Sequence, residues 1–457
     1  MAKDIAAFKA AGDKAVLESL EKIKKDDSNI FITVCGSSKT AGSGPLAGVP
    51  IALSDNISVK DVETTCASKI LKGYIPPFSG KAVLDLENAG AVIIGKTNMT
   101  EFGILGAPSA YGPAQNPHDK TKKAGPSSAA AAVAAGLVPA AVSSDAGGIL
   151  RVSASFCGTV AFKPSYGAIS RYGLIYYAGS LDQIGVTAAT VSDAALVAEI
   201  LSGNDLCDTT SLPEKLVYTD KIKSGDKPLD GFRIGIPEEF LEGVTADVMK
   251  TFEEAVSTFE KLGAVCKKFS MKTAKYMQPV HDIIAAGESS AMLAKYDGTR
   301  FGPRAEADNW HEMIAKTRAL FGPVVRRRIM LGVYLLKTAQ YNDYYMKSMQ
   351  TRTLIIEEFE SVFQEYDLLV SPTTKDIAPV IGTPCNGGCA DELSSFSAAI
   401  AGADLAGLPA ATVPCGFVGK LPAGLQIIGG YLKDANVIAA AEAFEKAADF
   451  VKVQEAV

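Results

Sequence analysis

The sequence predicts a single large α/β domain that carries a mostly helical insertion, and three observations support this prediction. Strand-like runs alternate with helical patterns up to about residue 205, as in layered α/β proteins. From about 275 to 365 the pattern is mostly helical and rich in Met, Tyr and Arg. No internal repeat or low-complexity linker separates these parts. We therefore expect one domain over 1–457, with a core at 16–205 and a mostly helical insertion at 240–365.

The first part of the chain supplies short strands and short helices in turn. A helix is predicted where apolar residues recur every three to four positions, and a strand where β-branched residues cluster between Gly-rich and Ser-rich turns. The predicted elements are, in order, a helix through Val16, Leu20 and Ile23, strands at 30–34 and 49–55, a helix at 81–90, a strand at 91–95, and an alanine-rich helix at 129–136.

The second part returns to strands on both sides of the helical stretch. The predicted elements are a strand at 232–237, a helix through Val248, Phe252, Val256 and Phe259 that Gly263 ends, strands at 367–374, 410–416 and 424–430, and a final helix at 436–448. Within the helical stretch, "RRRIML" is interpreted as a helix face that pairs with nearby acids. The Met and Tyr side chains at 344–349 are interpreted as packing residues.

Composition excludes several classes of protein. The formal net charge is −6 and the isoelectric point is near 5.4, which makes direct nucleic-acid binding unlikely. No apolar run reaches the roughly 18 residues that span a bilayer. The first residues contain no apolar core followed by a cleavage site, so the prediction is a cytoplasmic protein without a membrane partner.

The cysteines predict neither a disulfide scaffold nor a metal site. Eight cysteines are dispersed over 457 residues, which is too sparse for a disulfide-stapled fold. Cys385 and Cys389 lie close together, but only three histidines exist and no second close cysteine pair completes a tetrahedral zinc site. We expect no metal and no cofactor.

The stretch "SSDAGGIL" is the most informative chemical feature. Asp145, Ala146, Gly147 and Gly148 form a small glycine-rich turn. The next residue, where such a turn would present a hydroxyl or thiol, is Ile149. The sequence thus contains a turn that could receive a reacting carbonyl, but the residue that follows it has a hydrocarbon side chain that cannot react.

The chain resembles the amidase signature family, and within it the amidotransferase branch. The matching segments run in the family's order from about residue 16 to 445. They include "GPLAGVPIALSDNI", "TTCASKIL", "AGAVIIGKTNMTEFG", "YGPAQNP", "ASFCGTVAFKPSYGAISRYGL", "SLDQIG", "RRRIMLG", "DLAGLPAATVPCG" and "PAGLQIIGG". The resemblance implies one large domain with a mixed central sheet covered by helices.

The resemblance also implies a catalytic triad, of which two members differ here. The family uses a neutral lysine, a bridging serine on a cis peptide bond and a nucleophilic serine. The lysine position of the family pattern "KDN" is Ser54, whose hydroxyl is not basic enough to act as a base near pH 7. The nucleophile position at the end of the family's "DTGGS" turn is Ile149.

The bridging serine has two possible alignments. Counting forward from "NP" at 116–117 gives Ser127, with a deletion just after Ser128. Counting backward from "AAVAAG" gives Gly125 instead. The forward count preserves the serine pair and is preferred, and Pro126 stiffens the loop in either case.

The remaining site residues have both a binding and a structural interpretation. Ser128, the glycine turn and Arg151 could line a pocket, or they could cap a helix and hold the turn by hydrogen bonds. The resemblance assigns Arg352 to a substrate carboxylate. It places the acid that would hold a substrate amine at Ser397, which changes that pocket.

Three functions stay open. The first is a pseudoenzyme that binds an unknown small molecule or amide-like ligand in its cleft. The second is an amidohydrolase or amidotransferase with relocated chemistry that uses Ser54, Ser127 or Cys157. The third is a non-catalytic subunit that holds a protein partner, which predicts an apolar patch on the surface of the isolated chain.

Overall fold

The computed structural model describes residues 4–35, 43–218, 227–383 and 398–448. Its strands are β1 (Phe31–Val34), β2 (Pro50–Ser54), β3 (Val92–Thr97), β4 (Gln115–Asn116), β5 (Asp119–Lys123), β6 (Ala140–Asp145), β7 (Val160–Lys163), β8 (Gln183–Ala188), β9 (Arg233–Pro237), β10 (Val265–Phe269), β11 (Leu368–Pro372), β12 (Ala410–Val418) and β13 (Leu421–Gly429).

The α-helices are distributed over the whole chain. They are α1 (Ile5–Ala11), α2 (Asp13–Lys25), α3 (Lys81–Asn88), α4 (Ala129–Ala134), α5 (Ile149–Cys157), α6 (Val191–Leu201), α7 (Ala246–Lys261), α8 (Ala274–Met292), α9 (Trp310–Arg318), α10 (Pro323–Leu335), α11 (Thr338–Tyr341), α12 (Lys347–Glu365), α13 (Ala398–Leu405) and α14 (Asp434–Ala448). A short π-helical segment, Asn342–Met346, joins α11 to α12.

Eleven strands form one mixed sheet in the order β1-β3-β2-β6-β8-β7-β12-β13-β11-β9-β10. The pairs β3–β2, β2–β6, β11–β9 and β9–β10 are parallel and the others are antiparallel. Strands β2, β3, β6, β7, β8, β11 and β13 are buried along their whole length. Full burial explains why these strands are almost continuously apolar or small instead of alternating with polar residues. The predicted α/β class with a mixed sheet covered by helices is confirmed.

Several structural elements were not predicted individually from the sequence, among them β6, β7, β8, α5 and α6, the edge strand β10 and the hairpin of β4 and β5. Strand β10 lies at the edge of the sheet, where Lys267 and Lys268 are exposed, and such polar edges lack the apolar run that marks an interior strand. Strands β4 and β5 form a separate two-stranded hairpin, and both strands are short and polar. The range 240–365 contains α7 to α12 together with β10, and its status as an inserted unit stays a prediction.

The sheet brings candidate site residues together at the carboxyl ends of two neighbouring interior strands. Strands β2 and β6 are parallel neighbours, with Leu53 opposite Val142, so their carboxyl ends lie side by side. Ser54 is the last residue of β2 and Asp145 is the last residue of β6. Ligand sites of open α/β sheets are commonly found at such edges.

Candidate functional site

The glycine turn connects β6 directly to α5. Gly148 has a φ of +87°, and a Cβ atom there would lie 2.2 Å from Cγ2 of Ile400, so a side chain fits neither the backbone conformation nor the available space. The Gly148 N–H donates to Asp145 Oδ1 over 2.6 Å. Strand, turn and helix thus form a tight bend that requires glycine.

Arg151 stabilises this bend through buried hydrogen bonds to three side chains. Its Nε donates to Asp145 Oδ2 over 2.8 Å, and Nη2 donates to both carboxylate oxygens of Asp404 over 2.7 Å. Nη1 donates to Gln426 Oε1 over 2.7 Å. All four side chains are buried, so Arg151 links the turn to α13 and β13 by charge-assisted hydrogen bonds. Sequence reasoning found Asp145 and Arg151 but missed Asp404 and Gln426, which lie about 250 to 275 residues away along the chain.

Titration of this cluster follows from its burial. Burial raises the pKa of Asp404 to about 6, against the opposing effect of Arg151. Burial lowers the pKa of the neighbouring Lys163 to about 8, although Asp404 favours its charged form. The Lys163 ammonium donates to the backbone carbonyl of Leu408.

Ile149 is the first residue of α5 and is buried, with 1% of its surface exposed. It belongs to an apolar cluster with Met99, Leu105 and Ile400. A Cβ atom built on Gly103 would lie 3.3 Å from Ile149 Cδ1 and 3.9 Å from Ser144 Oγ, so both side chains lie beside Gly103. The residue after the turn therefore supplies packing and no reactive atom.

Ser54 belongs to a short buried chain of hydrogen bonds. Its Oγ donates to Asn56 Oδ1 over 2.6 Å, and Asn56 Nδ2 donates to Ser144 Oγ over 2.8 Å. All three side chains are buried. Asn56 and Ser144 were not singled out from the sequence. The "SDN" segment and the serine pair before Asp145 are far apart in the sequence. Their hydrogen bonds could be predicted only if β2 and β6 were already known to be neighbours.

Ser127 is held by the residues on both sides of the turn. Its Oγ lies 2.9 Å from Ser143 Oγ, and its backbone N–H donates to Ser153 Oγ over 2.9 Å. Ser153 Oγ in turn donates to the backbone carbonyl of Ile149 over 2.7 Å. The structure thus brings Ser127 next to the start of α5. Its role as a bridging serine stays a prediction.

The backbone around this serine departs from what the resemblance implies. Every peptide bond in the described residues is trans, so no cis bond is found at Ser127. Gly125 has a φ of +109°, and a Cβ there would lie 2.6 Å from Ser153 Oγ. Ser128 precedes α4 without capping it through its side chain, although its N–H donates to the Asn98 carbonyl over 2.9 Å.

Arg352 is bound by the protein itself. Its Nη1 donates to Ser180 Oγ over 2.8 Å, Nη2 donates to the Ser180 carbonyl over 3.1 Å, and Nε donates to the Leu405 carbonyl over 2.7 Å. Glu288 accepts from the Ser180 N–H over 2.8 Å. The guanidinium therefore holds a backbone segment in this structure. Ser397, the predicted partner position for a substrate amine, lies outside the described residues, as do Cys385 and Cys389.

Two further polar side chains of this region, Lys96 and Cys157, are hydrogen-bonded within the protein. Lys96 is buried 3.5 Å from Asp55 Oδ1 and donates to Thr64 Oγ1 over 3.1 Å. The Cys157 thiol is buried and donates to the Ala124 carbonyl, and burial raises its pKa. A thiol with a raised pKa is a poor nucleophile near neutral pH, which argues against the predicted alternative role of Cys157.

His281 is a further buried group that sequence reasoning missed. Its Nε2 lies 2.6 Å from the Ala146 carbonyl, and a Cβ on Gly147 would lie 3.1 Å from its Cε1. Burial opposes the charged form, but Asp282 and the Ala146 carbonyl raise the pKa of His281 overall. The imidazole supports the outer side of the glycine turn.

In the four described ranges, no group of three or more His, Cys, Asp or Glu side chains is arranged to hold a metal ion. None of the helices in that part of the chain combines the length and apolar character that a membrane-spanning helix needs.

The chain matches the family model "Amidase" over residues 34–438. It is 42% identical to the A subunit of the glutamyl-tRNA(Gln) amidotransferase of Methanosarcina mazei, covering 96% of this chain and 94% of that protein. It is 44% identical to the A subunit of the same amidotransferase from Carboxydothermus hydrogenoformans, over 90% of this chain and 85% of that protein.

Solved structures give the same result at the level of the fold. The crystal structure of the A subunit of the glutamyl-tRNA(Gln) amidotransferase from Thermotoga maritima superposes with a TM-score of 0.82 at 36% identity, covering 97% of this chain and 94% of that one. A bacterial aryl acylamidase superposes with a TM-score of 0.85 at 24% identity over 99% and 98% of the two chains, a likeness of fold alone. The chain belongs to the amidase family.

Proposed function

We propose that this chain is a non-catalytic member of the amidase family and that it binds a protein partner as one subunit of a complex. The A subunits to which it is similar are likewise named as subunits of an amidotransferase. The observation that carries the proposal is Ile149. An amidase of this family needs a nucleophile directly after the glycine turn, and isoleucine has no atom that can attack a carbonyl.

The base position supports the same proposal. Ser54 stands where the family pattern has lysine, and its hydroxyl donates to Asn56. Among the described residues, Ser127 is hydrogen-bonded to the hydroxyls of Ser143 and Ser153 and to no titratable side chain. A hydroxyl is too weak a base near neutral pH to activate another hydroxyl.

A partner role is favoured over a ligand-binding role by the state of the central site. Ser54, Asn56, Ser127, Ser143 and Ser144 are all buried, and each side chain forms a hydrogen bond within the protein. A small amide would have to break these bonds and displace the Ile149 side chain. Among the described residues, we find no group placed to replace the broken hydrogen bonds or the lost packing of Ile149.

The first experiment is ammonia release from glutamine, asparagine and simple amides by the purified chain and by Ser127→Ala. We expect no release above buffer from either protein. Release that Ser127→Ala abolishes would show a catalytic centre rebuilt around this serine, and the proposal would be wrong.

A matched back-substitution tests the reason for inactivity. The double variant Ser54→Lys with Ile149→Ser restores the family's base and nucleophile, and it enlarges one buried side chain while it shortens the other. We expect ammonia release from the double variant and none from either single variant. Equal inactivity of all three, with folding confirmed by circular dichroism, would move the cause to the shortened loop at Ser127.

A further inference from the structure

Helix α10 is apolar on two opposite sides, and only one of them is covered. A helix that is apolar all round is normally buried all round. On α10 the side chains of Met330, Leu331, Val333 and Tyr334 point away from the protein, and 72%, 44%, 52% and 46% of their surfaces are exposed. We call these four residues the outer face.

The inner side of α10 is packed tightly against α8. Val325, Gly332 and Leu335 are buried there. A Cβ atom on Gly332 would lie 1.9 Å from the Ala286 carbonyl oxygen, so the two helix backbones touch. The inner side of α10 is therefore part of the core, and the outer face lies largely outside it.

The outer face continues onto the following segment. The rings of Tyr334 and Tyr344 lie 6.3 Å apart, which joins α10 to the π-helical turn. Tyr344, Met346 and Leu354 are themselves exposed. Tyr344 packs against Tyr334, and part of its surface stays exposed. The four side chains of the outer face and Tyr344 together expose several hundred Å², the size at which a patch on a soluble protein marks an interaction site.

The charge around the outer face is opposite to that of the whole chain. Between 322 and 347 the sequence has five basic residues and one acidic residue, whereas the full chain carries −6. Arg328 is buried, and its Nη1 lies 3.5 Å from Asp282 Oδ1. Arg326 and Arg327 are exposed. The charge of Arg326 acts on the buried Glu101 carboxyl and opposes the rise that burial causes in its pKa. The prediction that "RRRIML" pairs with nearby acids therefore fits Arg328, and Arg326 also faces an acid, at longer range.

Lys337 and Lys347 extend this basic rim. Both are exposed, and neither forms an ion pair with a described residue. The outer face is thus an apolar centre bordered by four cations, none of which is in an ion pair with an acid of the described chain.

We propose that the outer face is the docking surface for a different protein chain whose contact surface is apolar at its centre and acidic at its rim. A second copy of this chain would bring like-charged rims together, which costs free energy. A nucleic acid would match the rim but not the aliphatic centre of Met330, Leu331 and Val333. The inference rests on the proposed partner role and identifies the surface that performs it.

The test uses two labelled helical peptides of about 18 residues with the same stripe of leucines. One carries glutamate at its other positions and the other carries lysine. Fluorescence anisotropy with the full chain should show the glutamate peptide binding at least about tenfold more tightly. Leu331→Asp should weaken its binding by about tenfold or more, and Arg326→Gln with Arg327→Gln should weaken it and reduce its dependence on salt.

Leu206→Asp is the matched control, because Leu206 is 96% exposed and lies outside the outer face. It should leave peptide binding unchanged. Equal binding of the two peptides, or binding that Leu331→Asp does not affect, would overturn the proposal.

Two further measurements complete the test. A dimer seen by light scattering that Leu331→Asp dissociates would assign the surface to a second copy and would also overturn the proposal. Ammonia release is measured on the same samples, so activity in the presence of peptide binding would refute the non-catalytic role while leaving the docking surface intact.

Discussion

The candidate site in the centre of the molecule buries polar side chains, whereas the outer face of α10 exposes apolar ones. At the centre, serine and asparagine side chains are buried but hydrogen-bonded to one another, and Ile149 packs among Met99, Leu105 and Ile400. On the outer face, large apolar side chains are exposed and the neighbouring cations have no ion pair among the described residues. The candidate site is buried and filled by its own side chains, whereas the outer face is exposed.

The residues of the two regions differ in how much they depend on one another. A buried polar network is stable only if every member has a partner, so the central residues constrain one another. The apolar residues of the outer face are only partly covered by the described chain, and exposure of this extent favours aggregation unless something covers it. The two regions therefore make opposite predictions for the same kind of substitution.

The largest expected effect is that of Arg151→Met. It leaves Asp145 and Asp404 buried without their cation, and breaking a buried ion pair costs about 3–5 kcal/mol of unfolding free energy. Arg327→Met, on the exposed side of α10, should change that free energy by less than about 0.5 kcal/mol. Urea unfolding of both variants measures the contrast. A small loss for Arg151→Met would mean that the cluster relaxes or admits water.

The second contrast pairs Ile149→Ala with Leu331→Ala. Removing buried methyl and methylene groups at Ile149 should cost about 2–4 kcal/mol, because the surroundings collapse only in part. The same truncation at Leu331 should cost less than about 0.5 kcal/mol and should reduce binding of a hydrophobic dye. Equal losses of stability in thermal unfolding would refute the assignment of one residue to packing and the other to an open face.

The third prediction concerns pH and Lys163. Burial lowers the pKa of this lysine from 10.5 to about 8 in the folded chain, so the unfolded chain binds more protons between these two values. Stability should therefore rise with pH from 8 towards 10.5. The difference in unfolding free energy between wild type and Lys163→Met should rise by at most about 1.4 kcal/mol per pH unit. A flat difference would show that Lys163 stays charged beside Asp404.

The smallest expected effect is that of Ser54→Ala. It leaves Asn56 Oδ1 without its donor, which should cost about 1–2 kcal/mol. Thr338→Ala, at an exposed position next to α10, should be close to neutral. Urea unfolding with errors below about 0.3 kcal/mol distinguishes them. Loss of stability at Thr338 with none at Ser54 would reverse the comparison.

The fold was largely predictable because most of its strands are buried on both faces. The runs at 49–55, 91–95, 367–374 and 424–430 are apolar or small over most of their length, and each contains a strand or part of one. Strand β10 was missed because an edge strand is exposed and contains lysines. Predicted boundaries differed by a few residues where polar turns continue the strand pattern.

The candidate site was predictable only for residues close together in sequence. Asp145, the glycine turn, Ile149 and Arg151 lie within seven residues and are in contact as expected. Asp404 and Gln426 join them through the sheet and α13, a contact that no local pattern encodes. Arg352 is a different case, because its neighbours Ser180 and Glu288 decide what its guanidinium binds.

The contact at Gly332 has a consequence for the speed of association. Because the backbones of α10 and α8 touch there, α10 has little freedom to slide or rotate, and the outer face has a fixed shape before any partner arrives. Little conformational entropy is then lost on encounter. Docking should proceed in one step at a rate that the basic rim raises through electrostatic steering, and that rate should fall as salt is added.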